Sequence, residues 1–479
     1  MQESQHSQVQ DAERGVSRTP GDPAALHAQE GMTNYKNAKF DGLVLLLFGA
    51  LMFLLLGLGW EHISKIAMGD FKVAYYSAKC LLQNGDPYNA GDVERVYYAE
   101  GRESSEAPVR DRTIMTRYFY LPNAFVFTVP FAMLGYDAGH IVWMCVSAMS
   151  LILAGLLMWD IGSEYAPVVA GSLIGFLLTN SVWMFMIGNS AAIAIGFCVI
   201  GVWCFLRERF VYAGILCFAL SLVLKPHDTG FIWLYFLLAG GLYRKRAFQT
   251  LVVTVALSLP ALGWVVHVSP HWLGEMHLNM SAFSTQVDGN AAGTISISGG
   301  SADSLVQMQS VLSVFWKNPR IYNTATYVIC GALLLIWALS VLRSRITPER
   351  SMLAIAAIAP LSILPVYHWQ HDAKLFLLTV PACAMLWAGG GVLGRLALLV
   401  TAGGDVLIGD IPQTLLGLIA GKMQLTANDL IGKLLTVVLT RSASLGLLMV
   451  GVFYLYVYVR RTSDLSRAGG SVGLLDKKL

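Results

Sequence analysis

Long apolar runs constrain this chain more than any other feature. Leu43–Trp60, Ile141–Trp159 and Ala247–Val266 each approach the roughly 20 residues that a helix needs to cross hydrocarbon. Charge is correspondingly scarce: 13% of the 479 residues are charged and 55% are hydrophobic, whereas a soluble domain carries roughly 25% charged residues. The expected fold is an all-α, polytopic transmembrane helical bundle of about 11–13 spans, with further helices lying along the exoplasmic interface.

Composition excludes other classes. Net charge is +3, from 33 basic and 30 acidic residues, so no large basic surface exists for nucleic acid. Six of the seven cysteines lie inside apolar segments, where a thiol behaves as a small hydrophobe, and only Cys80 lies in a polar stretch. That argues against a disulfide framework and a thiolate metal site.

Residues 1–42 are polar and read as a disordered tail. Lys36 and Lys39 precede the first apolar run, so the positive-inside rule keeps the tail in the cytoplasm and sends Trp60 outward. The other expected spans are 119–136, 139–159, 167–187, 190–206, 210–224, 229–243, 247–267, 321–342, 352–367, 373–394, 396–420 and 430–459. This divides the chain into a membrane-embedded catalytic module (43–394), C-terminal transmembrane helices (395–460) and a cytoplasmic tail (461–479). Basic clusters around Arg207, Arg244, Arg343 and Arg460 mark cytoplasmic turns. Four apolar segments separate Trp60 from Arg207, yet opposite sides require an odd number of crossings. One segment must therefore be re-entrant, or two must form one element interrupted near Gly188-Asn189; broken helices at membrane depth line protein cavities.

Two exoplasmic loops result. In 61–118, Phe71, Ala74, Tyr75, Ala78, Leu81 and Leu82 recur at helical spacing and predict a helix over 71–82. In 268–320, a Gly/Ser-rich centre (Gly289–Ser301) precedes an amphipathic stretch, Leu305–Phe315; this reads as a lid or as a plain connection.

Several residues stand out. Asp70, in Gly69-Asp70-Phe71, supports two readings: a general base for a substrate hydroxyl, or an N-cap for the Phe71 helix. Asp86, in Gly85-Asp86-Pro87-Tyr88, has the composition of a turn. Tyr367-His368-Trp369-Gln370-His371-Asp372-Ala373-Lys374 is a polar knot between apolar spans, a costly placement that marks function or an interfacial anchor. Its histidines stand at i and i+3 with no intervening Glu, unlike a zinc-protease motif, so no metal is expected. Lys225-Pro226-His227 ends a short span, where the lysine can serve as a snorkelling anchor. Gly188-Asn189-Ser190 and Tyr118–Pro122 read as helix breaks. No Walker loop, Rossmann fingerprint or paired-aspartate motif for a nucleotide sugar is present.

In order and spacing, these pieces resemble glycosyltransferase family 87, the polyprenyl-phosphate-mannose-dependent group of the C-type membrane glycosyltransferases. The resemblance runs from about Leu43 to Trp387. It rests on Gly69-Asp70-Phe71 with Tyr75, Tyr76, Leu82 and Gly85–Tyr88; on Tyr120, Pro122 and Pro130; on Gly188-Asn189, where the family commonly has Gly-Gln; on Ala213-Gly214 before Lys225-Pro226; and on Trp369 and His371. It implies a polyprenyl-phosphate sugar donor, a glycolipid or glycan acceptor, membrane lipids as surroundings, and exoplasmic chemistry in a multi-pass protein of the plasma membrane. It further implies Asp70 as general base in an inverting, metal-independent transfer without cofactor. His371, Lys225 and Lys374 would hold the donor phosphate, with Tyr120, Asn189, Trp369, Asp86 and His227 as substrate contacts. The rival reading is a lipid-linked sugar transporter or flippase, for which broken spans are also typical; that class would show internal repeats and deeply placed ionisable groups.

Overall fold

A computed structural model describes residues 23–64, 67–100, 117–288, 305–423 and 429–472. They are helical, with one isolated bridge between Leu305 and Trp369. Five helices are long and apolar enough to cross a membrane, or six if one bent pair counts as a single span, and the chain is a multi-pass membrane protein. The long helices are α1 (Pro23–Ile63), α5 (Tyr136–Gly162), α11 (Gly241–Val268), α14 (Pro319–Arg343) and α20 (Ser442–Val472). Between them lie α2 (Gly69–Leu82), α3 (Ala90–Ala99), α4 (Phe125–Ala132), α6 (Pro167–Thr179), α7 (Val182–Met186), α8 (Ala191–Arg207), α9 (Val211–Leu224), α10 (Pro226–Ala239), α12 (Trp272–Asp288) and α13 (Met308–Leu312). After α14 come α15 (Pro348–Leu361), a 3-10 segment (Asp372–Thr379), α16 (Val380–Ala388), α17 (Gly391–Leu407), α18 (Asp410–Met423) and α19 (Leu430–Thr440).

Ion pairs identify the two ends of the bundle. His140 near the start of α5 lies 3.5 Å from Glu61 at the end of α1. Asp160 and Glu164, at and just beyond the other end of α5, lie 3.0 and 2.8 Å from Arg207 at the end of α8. Trp60 and Arg207 therefore belong to opposite ends. The expected span 119–136 resolves the parity problem: it is a 3-10 turn (Pro122–Ala124) followed by α4, which has 8 residues. At 1.5 Å per residue α4 rises only about 12 Å, too little to cross. From the Trp60 end, α5 runs to the Arg207 end. Helix α6 with α7 returns along α1, where Gly42, Gly49 and Gly57 meet Pro167, Gly175 and Phe185 in turn. Helix α8 runs back to Arg207, so three helical runs, an odd number, separate the two ends.

Other expectations differ in detail. The predicted helix over 71–82 is α2, begun two residues earlier at Gly69. Residues 23–42, read as part of a disordered tail, continue α1 as helix, and residues 461–472 likewise extend α20. The loop 268–320 contributes α12, whereas the stretch read as amphipathic over 305–315 is helical only across the 5 residues of α13. Its Gly289–Ser301 centre lies outside the described residues.

Helices α1 and α6 meet backbone to backbone. A Cβ on Gly49 would lie 2.1 Å from the Gly175 carbonyl oxygen, and one on Gly175 would lie 2.5 Å from that of Leu45. Within a bilayer, where lipid tails remove the hydrophobic incentive for association, such close approach supplies the packing energy. Gly175→Leu should lower thermal stability in detergent by about 1–3 kcal/mol or more. Gly263→Leu, at a site with no atom within 4 Å of an added Cβ, should not.

Candidate functional site

Helix α2 starts against the break between α7 and α8. The backbone N–H groups of Met68 and Asp70 donate to the carbonyls of Met186 and Ile187 (2.8 and 3.0 Å). Gly188 sits at φ 66°, and a Cβ there would fall 2.8 Å from Phe71 Cβ, so the turn requires glycine. Trp143 Nε1 donates to the Gly188 carbonyl (3.0 Å). Asn189 Oδ1 accepts from Ala191 N–H (2.8 Å), which begins α8. That bond fixes the amide orientation and aims Nδ2 at Asp70 Oδ2, 2.5 Å away.

Asp70 therefore receives a proton donor and keeps the character of a base. It does not cap α2: the cap position is Met68, and no side chain caps the helix. Half-buried, Asp70 lines a small cavity with Ala74, Tyr118, Tyr120, Ala124, Thr128, Trp143, Ser190 and Leu224. It is the only carboxylate among these described lining residues. Burial raises its pKa above the ordinary carboxylate value, against the Asn189 hydrogen bond and the charge of Lys225.

Leu224 leads into the second part of the site. Lys225, buried between α9 and α10, donates to Asp372 Oδ1 at 2.7 Å and lies 3.7 Å from Asp228 Oδ2. Burial opposes its charge, but Asp228 and Asp372 outweigh burial and hold its pKa above the ordinary lysine value. Asp372 is likewise opposed by burial, which the charge of Lys225 above all overcomes, so its pKa is low. Its other oxygen accepts from Trp369 N–H (2.9 Å). His371 lies 3.6 Å from Asp372 with Nε2 unpartnered; burial lowers its pKa to about 4, so it is neutral here and offers a polar N–H, not a cation. Trp369 stacks on His371, ring centroids 6.3 Å apart. Tyr120 hydrogen-bonds Ser190 and is close enough to Asp70, Lys225 and Asp372 to feel their charges.

Thus Asp70, Asn189, Tyr120, Lys225, His371 and Trp369 come together, and His227 lies beside Asp228 (3.1 Å). Lys374 joins a different cluster. Its Nζ donates to the carbonyls of Asn180 and Ile408 (2.6 and 2.7 Å) and pairs with Asp410 at 3.1 Å, inside the break where α17 and α18 bend by 65°. Asp86 closes a turn, its Oδ1 accepting from Tyr88 N–H at 2.9 Å. Asp228 and Asp372 were missed as individual residues; an aspartate beside Lys-Pro-His and another inside the polar knot were the available signals.

A lone base on a cavity wall suits group transfer better than hydrolysis, which flanks its bond with two carboxylates. The class is a membrane-embedded transferase. The model of glycosyltransferase family 87 matches residues 118–365, slightly more than half of the 479 residues, and the chain belongs to that family. Comparison with curated proteins and with solved structures gives no match.

Asp70→Asn should lower sugar transfer about 10²–10⁴-fold with the helical circular dichroism retained. Because the base must be ionised, activity falls as pH drops through the Asp70 pKa. Asn189→Ala removes a contribution that lowers this pKa, so the acid limb of kcat/KM should move to higher pH. Lys374→Met strands buried Asp410 and should cost about 3–5 kcal/mol of stability; adding Asp410→Asn should recover part of that loss in thermal unfolding.

Proposed function

We propose that the protein transfers a sugar, mannose by the family resemblance, from a polyprenyl-phosphate donor to a hydroxyl of a glycolipid or glycan acceptor. The active end faces the exoplasmic side of the plasma membrane. The carrying observation is Asp70, excused from capping and held by Asn189 on the wall of a cavity that adjoins Lys225.

A lipid-borne donor enters from the bilayer, so its enzyme needs many helices and no nucleotide fold. Asp70 takes the acceptor hydroxyl proton while that oxygen attacks C1 of the sugar. The bond from C1 to the phosphate oxygen breaks, and polyprenyl phosphate leaves with the electron pair. One displacement inverts the anomeric centre. Charge developing on the phosphate needs donors aimed at it; the Lys225 ammonium and the His371 N–H are the nearest groups of that kind. Tyr120 and Trp369 offer flat faces to the sugar or the first isoprene units. Lys374, tied into the α17–α18 break, supports this region from behind.

The test is incubation of purified protein with a panel of polyprenyl-phosphate sugars and membrane lipid extract. Polyprenyl-phosphate mannose should be consumed with formation of a new glycolipid. Unchanged donors across the panel would overturn the reading, and donor movement across vesicles without a new bond would favour a flippase.

A further inference from the structure

Two helix breaks meet beside the 3-10 segment. One separates α6 from α7 at Asn180-Ser181, and the other is the 65° bend between α17 and α18. They lie in close contact: a Cβ on Gly409 would fall 3.1 Å from the Asn180 side chain. The ion pair of Lys374 and Asp410, 0% and 3% exposed, joins both breaks to the 3-10 segment. Lys374 has three N–H donors and three partners for them: the Asn180 carbonyl (2.6 Å), the Ile408 carbonyl (2.7 Å) and Asp410 Oδ1 (3.1 Å). Asp410 accepts the Trp183 N–H with Oδ2 (2.7 Å) and donates its own N–H to the Asn180 carbonyl (3.2 Å). A second tie runs from the polar knot, where Gln370 Nε2 donates to the Gly409 carbonyl at 3.2 Å.

Each of these ties leads to one half of the site. Trp183 lies in the first turn of α7, and the end of α7 presents the Met186 and Ile187 carbonyls that receive the Met68 and Asp70 N–H groups. Asn189, which holds the Asp70 carboxylate, follows directly. Gln370 and Lys374 bracket His371 and Asp372, and Asp372 holds Lys225. One ion pair therefore links the element that presents the base to the element that presents the cation, across 194 positions of sequence between Asn180 and Lys374. Packing alone does not call for charge here, since apolar residues of similar volume often replace a buried ion pair at little cost in stability. What apolar side chains cannot do is bond to helix ends from three segments and fix their register.

We propose that Lys374 and Asp410 are positioning residues that set the separation of Asp70 from Lys225, and with it the alignment of acceptor oxygen, sugar C1 and donor phosphate. The alignment rests on the transferase reading above. Displacement attack tolerates little error, and a misplacement of about 1 Å can lower the rate 10²-fold. Neither residue is among the described residues that line the Asp70 cavity, so substrate binding is left largely alone and the effect falls on kcat. Both lie beyond residues 118–365, the stretch that the family model matches. Through Asp410 the C-terminal helices take part in the reaction.

The test uses full-length protein in detergent carrying Lys374→Met together with Asp410→Asn, which removes both charges and leaves an oxygen for the Trp183 N–H. Its kcat should fall about 10–100-fold with KM for donor and acceptor nearly unchanged. Gln370→Leu, at a half-buried position, cuts the second tie; it should show the same pattern and serves if the double variant does not fold. Wild-type kcat in a folded variant overturns the proposal, and so does a raised KM at unchanged kcat. Amide hydrogen exchange, read by mass spectrometry without substrate, separates this proposal from the transferase reading. Protection should fall together at 183–190 and 369–374, and loosening confined to α17 and α18 overturns the coupling. Joint loosening in a protein whose wild type transfers sugar from no donor rejects the transferase reading alone.

Discussion

Every helix end buried inside a protein leaves backbone groups that no water can satisfy, and this chain gathers several such ends in one place. The α7–α8 break, the α9–α10 turn and the loop 362–371 lie close enough for Lys225 to pair with Asp372 and for Asp70 to meet Asn189. The groups that satisfy these stops are also the groups fitted for chemistry. Asn189 begins α8 with its carbonyl oxygen and positions a carboxylate with its amide. Asp372 receives a backbone N–H with one oxygen and an ammonium with the other.

Charge balance follows from the same burial. A lysine with almost no water contact stays charged only because two carboxylates surround it. The cost of that solution is a cluster without surplus positive charge. His371 does not repair the balance, since the burial that places it here also keeps it neutral.

The sequence made much of the site readable because polar residues are expensive in an apolar chain and therefore conspicuous. Asp70, Lys225 and His371 stood out for that reason, and the break near Gly188-Asn189 was visible as an interruption and as a parity conflict. The pairing of Asp70 with Asn189, 119 positions apart, was not visible, since spacing reports only neighbours along the chain. Lys374 shows the converse: it lies three residues from His371 in sequence, yet its contacts are with Asn180, Ile408 and Asp410.

Length and hydropathy of the apolar runs by themselves determined that this is an all-helical membrane bundle, because hydrocarbon accepts few other backbones. They also fixed which residues must be compensated if buried. Only the tertiary structure decided the compensating partners and which apolar segment falls short of crossing. Those outcomes depend on where helix ends meet in space, a property of packing between segments separated by up to hundreds of residues, and no local pattern encodes it.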